Sequence, residues 1–287
     1  MPIELNTLNI IFGLFVFIFG ICIGSFLNVV IYRLPNKISL ILPRSSCPSC
    51  KTIISPFALI PLLGYIFTRG KCQKCKTKIS IQYPFVEFLC GILSVIVFFK
   101  FLNPYIILDS FPILFSVDFT HFGRFHYSGY VPFFVSLWLL YTGIPLSFID
   151  LKYKILPNSI TLPGILVGFA MSCLNPDLGW LESLIGIACG AGGLFFISKF
   201  YEYFRKKEGM GMGDIKYLGF IGAVLGWKGV ILTLFMASFI AAIIGIIWAI
   251  YSKKGLSAAI PFGPFLATSA FIISVFGNDM NAYIYFG

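Results

Sequence analysis

The chain has 287 residues, 58% of them hydrophobic and 11% charged, with a mean hydropathy of +0.93. Soluble domains carry about 25% charged residues, so this chain cannot cover its surface with solvated groups, and lipid must be the solvent for much of it. The formal net charge of +10 does not point to nucleic acid, because the basic residues gather in short connections beside apolar runs, the usual mark of cytoplasmic loops.

An apolar run over 8–31 comes first. It has no basic stretch before it and exceeds the roughly 7–15 residues of a secretory signal core. It reads as a retained first span. The segment 32–83 follows, carrying Arg33, Lys37, Arg44, Lys51, Arg69, Lys71, Lys74, Lys76 and Lys78 and no acidic residue. Its charge also suits anionic lipid headgroups.

Within that segment stand Cys47-Pro48-Ser49-Cys50 and Cys72-Gln73-Lys74-Cys75, two C-x-x-C pairs 21 residues apart. Four thiolates so spaced can close a tetrahedral site, for which zinc is the usual metal. The surrounding Lys and Arg favour the thiolate form, and a cytoplasmic loop disfavours disulfides. Four cysteines leave no open coordination position, so the expected role is structural. Such a metal also explains how an insert with few buried residues is ordered. Cys22, Cys90, Cys173 and Cys189 lie singly in apolar spans and read as packing residues.

Further spans are expected over 84–102, 131–149, 157–174, 183–203, 215–227, 229–250 and 258–276. The sixth of the eight, 215–227, is short and broken by glycine. The fold class is therefore all-α: a polytopic membrane protein of about eight transmembrane helices with a cytoplasmic zinc-binding loop. Starting outside, the count puts 32–83, 150–156, 204–214 and Ser252-Lys253-Lys254 inside, so every large basic cluster shares one face. The organisation expected is a first span (1–31), the four-cysteine loop (32–83, its region reaching about 102), an extracytoplasmic loop (103–130) and a membrane domain (131–287). The 103–130 loop holds Asp109, Asp118, His121, Arg124 and His126, and Tyr127, Tyr130 and Trp138 suit an interfacial belt. His121 and His126, five positions apart, form no recognisable ligand pattern. No internal repeat or low-complexity tract is evident.

Two acidic residues stand out by context. Asp150 ends the apolar run from Trp138 to Ile149, and Asp214 follows Gly209-Met210-Gly211-Met212-Gly213 and precedes another apolar run. Ionisable groups at such depth are costly and are functional candidates. The topology puts both on the inner face. If packing brings them together, repulsion between like charges makes the pair share one proton. The ionised member can then deprotonate a water while its protonated partner polarises a peptide carbonyl. Two other readings fit the same residues: each Asp as a helix cap, or the pair as the proton relay of a transporter.

Six motifs in order then resemble the bacterial type IV prepilin peptidase family, also called leader peptidase/N-methyltransferase. They are Gly24-Ser25-Phe26-Leu27-Asn28-Val29-Val30-Ile31-Tyr32-Arg33-Leu34-Pro35; the two Cys pairs; Tyr83-Pro84-Phe85-Val86-Glu87; Phe148-Ile149-Asp150 with Leu156-Pro157; Gly211-Met212-Gly213-Asp214-Ile215-Lys216; and Pro261-Phe262-Gly263-Pro264-Phe265. The resemblance implies an aspartic endopeptidase of the bacterial cytoplasmic membrane. It would remove the basic leader of prepilins or pseudopilins after a Gly on the cytoplasmic side, serving pili, protein secretion or DNA uptake. Asp150 and Asp214 match the family's catalytic aspartates. N-methylation of the new N-terminus with S-adenosylmethionine is also implied, the alternative being a peptidase without it. Glu87 matches a residue of the methylating region, placed to bind or deprotonate the amine, or else to pair with a loop lysine. Asn158 departs from the Asp that the family often has there. No glycine-rich nucleotide fingerprint accompanies the methylation expected.

Overall fold

The computed structural model describes residues 2–102, 130–175, 178–206, 211–252 and 261–286. Its regular elements there are all helices, accompanied by two isolated β-bridges. The chain falls into two compact units, Met1–Arg124 and Phe125–Gly287. His121, His126 and Tyr127 lie outside the described residues, as do Gly209, Met210, Lys253 and Lys254.

In the first unit, α1 (Pro2–Arg33) packs antiparallel on α3 (Gln82–Phe101). Hydrocarbon offers two helices no hydrophobic drive to associate, so close backbone approach through small residues must do it. Gly20 and Gly24 supply that approach. A side-chain carbon at Gly20 would stand 2.9 Å from the Gly91 Cα, and one at Gly24 would stand 2.7 Å from the Glu87 Cα. Between these helices run a 3-10 turn (Pro56–Leu59) and the short α2 (Leu63–Phe67). The buried Arg33 anchors the entry of this loop, donating from Nη1 to the Ser39 carbonyl (2.8 Å) and from Nη2 to that of Pro43 (2.6 Å).

The second unit holds α4 (Tyr130–Tyr153), α5 (Asn158–Cys173), α6 (Gly179–Arg205, with a π-helical stretch at Ala188–Gly193), α7 (Met212–Ser252) and α8 (Gly263–Phe286). The 41 residues of α7 would measure about 60 Å as one rod, twice a hydrocarbon core of about 30 Å. Gly226 breaks it, with φ 69° and ψ −178°, which is why the sequence reads as two spans there. Before the break, Tyr217, Leu218, Phe220 and Ile221 are fully buried in a core shared with Leu139, Leu146 and Leu266. After it, Phe235, Phe239, Ile247 and Trp248 are exposed, as lipid-facing residues would be. Trp138 packs against the same core, and its indole N–H is buried.

Five of the described helices are long and apolar enough to cross a membrane, and Asn158–Cys173 and Gly263–Gly277 are shorter apolar helices. The protein is a multi-pass, all-helical membrane protein.

Candidate active site

Asp150 lies in the last turn of α4 and is only 7% exposed. A carboxylate at a helix C-terminus faces the unfavourable end of its own helix dipole. The start of α8 compensates: the Gly263 N–H donates to Asp150 Oδ2 at 2.9 Å. Asp214 sits in the first turn of α7, where the dipole favours negative charge. Both carboxylates therefore lie at helix N-termini, and Asp150 acts electrostatically on Asp214.

Leu156 is the packing element between them. A side-chain carbon at Gly213, the neighbour of Asp214, would stand 3.0 Å from Leu156 Cβ. One at Gly263 would stand 3.2 Å from Leu156 Cδ2 and 2.7 Å from Asp150 Oδ2. The three segments thus close around one leucine, and a side chain at 263 would press on the Asp150 carboxylate. Leu156 and Gly263 carry no titratable group, so a search for chemistry passes over them. The signal that could have found Gly263 is its place before Pro264, at the start of a helix. Gly263→Ala should displace the Asp150 carboxylate and lower kcat about 10²-fold with little change in KM, since small misplacements carry losses of that order. Steady-state kinetics on a precursor peptide measures this.

In the loop of the first unit, the four predicted cysteines meet. Cys47 and Cys75 are 3.7 Å apart at sulfur, Cys50 and Cys72 are 3.9 Å apart, and all four sulfurs lie within 4.8 Å of one another. No disulfide joins them. Each pair sits in the same knuckle. Cys47 N–H donates to the Thr52 carbonyl and Lys51 N–H to that of Cys47, while Cys72 N–H donates to Thr77 and Lys76 N–H to Cys72. Lys51 and Lys76 both adopt positive φ. The unit C-x-x-C-Lys-Thr occurs twice, at an offset of 25, so the loop does contain a short internal repeat. This cluster can hold a metal ion.

Residues 133–246 match the model of the Type IV leader peptidase family, and residues 18–101 that of the Bacterial Peptidase A24 N-terminal domain. The prepilin leader peptidase/N-methyltransferase of Pseudomonas putida is 30% identical over 287 residues, covering 92% of this chain and 91% of that protein. The chain belongs to the type IV leader peptidase family. Proteins with the same description from Aeromonas salmonicida (31% identical, 93% of this chain and 92% of that protein) and Myxococcus xanthus (35%, 83% and 63%) are also similar. No solved structure matches.

In this leader-peptidase chain both aspartates fall inside the peptidase match, while the cysteines and Glu87 fall inside the N-terminal one. Glu87 is 7% exposed and takes a 2.8 Å hydrogen bond from the Leu62 N–H, with the Ser25 hydroxyl also in reach. Among the described residues it pairs with this backbone, not with a loop lysine. Asn158, the departure from the family pattern, accepts a 3.0 Å hydrogen bond from Lys216 Nζ at an exposed position. Asn158→Asp converts this to a surface ion pair, worth about 0–1 kcal/mol. Leader-peptide turnover should change less than about threefold, by the same steady-state assay.

Proposed function

We propose that this chain is a membrane aspartic endopeptidase that cleaves the leader from type IV prepilins or pseudopilins after a Gly, and then methylates the new N-terminus. The observation that carries the peptidase reading is the convergence of Asp150 and Asp214 on Leu156, each at a helix N-terminus, in a chain of this family. The ionised carboxylate takes a proton from water, and the protonated one donates to the scissile carbonyl. The Gly263 N–H holds Asp150 in place throughout. Both groups stand at helix ends, which suits a substrate whose apolar stem lies in the bilayer of the bacterial cytoplasmic membrane while its basic leader stays in the cytoplasm.

Zinc is the metal that the cysteine cluster fits best. Zn–S bonds of about 2.3 Å give tetrahedron edges of about 3.8 Å, and two sulfur pairs stand at 3.7 and 3.9 Å. Its role is to fold the loop. S-adenosylmethionine supplies an electrophilic methyl group when bound. The chain's part is to hold the amine and accept its proton, and Glu87 is the candidate for this.

Incubating the purified protein with a prepilin in detergent tests both activities. Mass spectrometry should find the leader removed after Gly, and labelled S-adenosylmethionine should label the mature chain. Leader removal without label would leave a peptidase alone. No cleavage, with proton-coupled flux in vesicles, would favour a transporter.

A further inference from the structure

The seam between α1 and α3 contains polar groups that helix packing does not require. Asn28 is 3% exposed. Its Nδ2 donates to the carbonyls of Gly24 (3.3 Å) and Tyr83 (3.0 Å), and its Oδ1 is buried without a partner. A buried acceptor left empty carries an uncompensated desolvation cost, and nothing in the packing of two helices calls for it. The register brings it beside Glu87. Gly24 lies against Glu87 and Asn28 against Tyr83, so Asn28 is one turn from Glu87 on the same seam.

The covering of Glu87 is strained. Leu62 has φ 59° and ψ −53°, and Leu63 N–H donates to the Pro61 carbonyl at 2.6 Å. This is a γ-turn of the rare, unfavourable hand. A leucine held there costs free energy that the surroundings must offset. The Leu62 N–H bond to Glu87 Oε2 contributes to that offset, beside the Gly64 N–H bond to the Ile60 carbonyl and the Ile66 N–H bond to the Leu62 carbonyl. The seam therefore offers a carboxylate and an unfilled amide oxygen, with a strained backbone N–H occupying the carboxylate. A donor with positive charge and several N–H groups satisfies both acceptors better than one peptide N–H can.

We propose that Asn28 Oδ1 and Glu87 form the seat for the primary ammonium of the cleaved substrate's new N-terminus, which displaces the Leu62 N–H and lets the strained turn relax. Asn28 is a binding residue here, and Ser25 orients the Glu87 carboxylate. This rests on the methylating role proposed above, since that reaction must first capture this amine. An N-terminus bearing an acyl group has neither the charge nor the donors and is rejected.

The test uses the full chain in detergent and hydrogen exchange of the segment containing Leu62. The probes are a peptide with the mature N-terminal sequence of a pilin and the same peptide N-acetylated. The free-amine peptide should raise exchange in this segment at least fivefold, and the acetylated one should leave it unchanged. In Glu87→Gln and Asn28→Leu the free-amine peptide should have no effect. Metal retained by the four cysteines shows that each variant is folded. In the prepilin assay, both variants should lose label transfer at least tenfold while leader removal continues. Equal responses to the two peptides, or a wild-type response in folded Asn28→Leu, overturns the seat. An exchange response that discriminates the peptides, with no label transfer by the wild-type protein, upholds the seat and sinks the methylating role instead.

Discussion

Asp150→Asn and Asp214→Asn should each reduce leader cleavage about 10³-fold, in the middle of the range for a lost general acid or base. Asparagine has the size of aspartate and keeps an oxygen able to accept the Gly263 N–H, so Asp150→Asn preserves the contact between α4 and α8. What it loses is the capacity to exchange a proton. At Asp214 the same change also removes a charge from a helix N-terminus, a position worth about 0.3–1 kcal/mol, far too little to unfold the unit. The measurement is kcat/KM on a purified prepilin, with thermal unfolding run beside it. Normal melting with abolished cleavage is the expected pair of results. Cleavage surviving in either variant would exclude a mechanism that needs both carboxylates.

Removing the zinc proposed for the four-cysteine cluster should have the second large effect. Small zinc domains draw about 10–16 kcal/mol from the ion at neutral pH, and the loop from 34 to 81 has few other means of order: two isolated bridges, one five-residue helix and a 3-10 turn. Chelation, or Cys72→Ser, should abolish protection of the Cys47 and Cys72 amides, which bond to Thr52 and Thr77 in the knuckles. Metal quantification and hydrogen exchange on the same sample test this, and protected amides in a metal-free chain would refute it. Acid should act in the same direction. The Thr52 hydroxyl, 3.4 Å from Cys50 Sγ, followed by the Thr52 backbone, lowers that thiol to about 6, and the Thr77 hydroxyl lowers Cys75 likewise. Both shifts favour the thiolate form that metal binding requires, so a metal held by the cluster should be released as the pH falls.

Much of the architecture was readable because bilayer thickness imposes a length on apolar runs. The expected spans at 84–102 and 131–149 correspond to α3 and α4, and the glycine-broken span at 215–227 proved to be the buried half of a longer helix interrupted at Gly226. The cysteines were readable because C-x-x-C spacing is local. The aspartates were visible as charges at the ends of apolar runs, but their convergence was not, since it depends on Leu156 and on the α8 terminus at 263, more than a hundred residues away in sequence from Asp150. Asn28 was hidden for a related reason. An amide inside an apolar run reveals nothing of its vacant oxygen until the facing helix is in register.

The Gly263 contact also bears on inhibition. One oxygen of Asp150 already faces a backbone amide, so the two carboxylates do not present equivalent surfaces to a ligand. Compounds designed around a symmetric diol, which treat a pair of aspartates as mirror images, match this arrangement poorly.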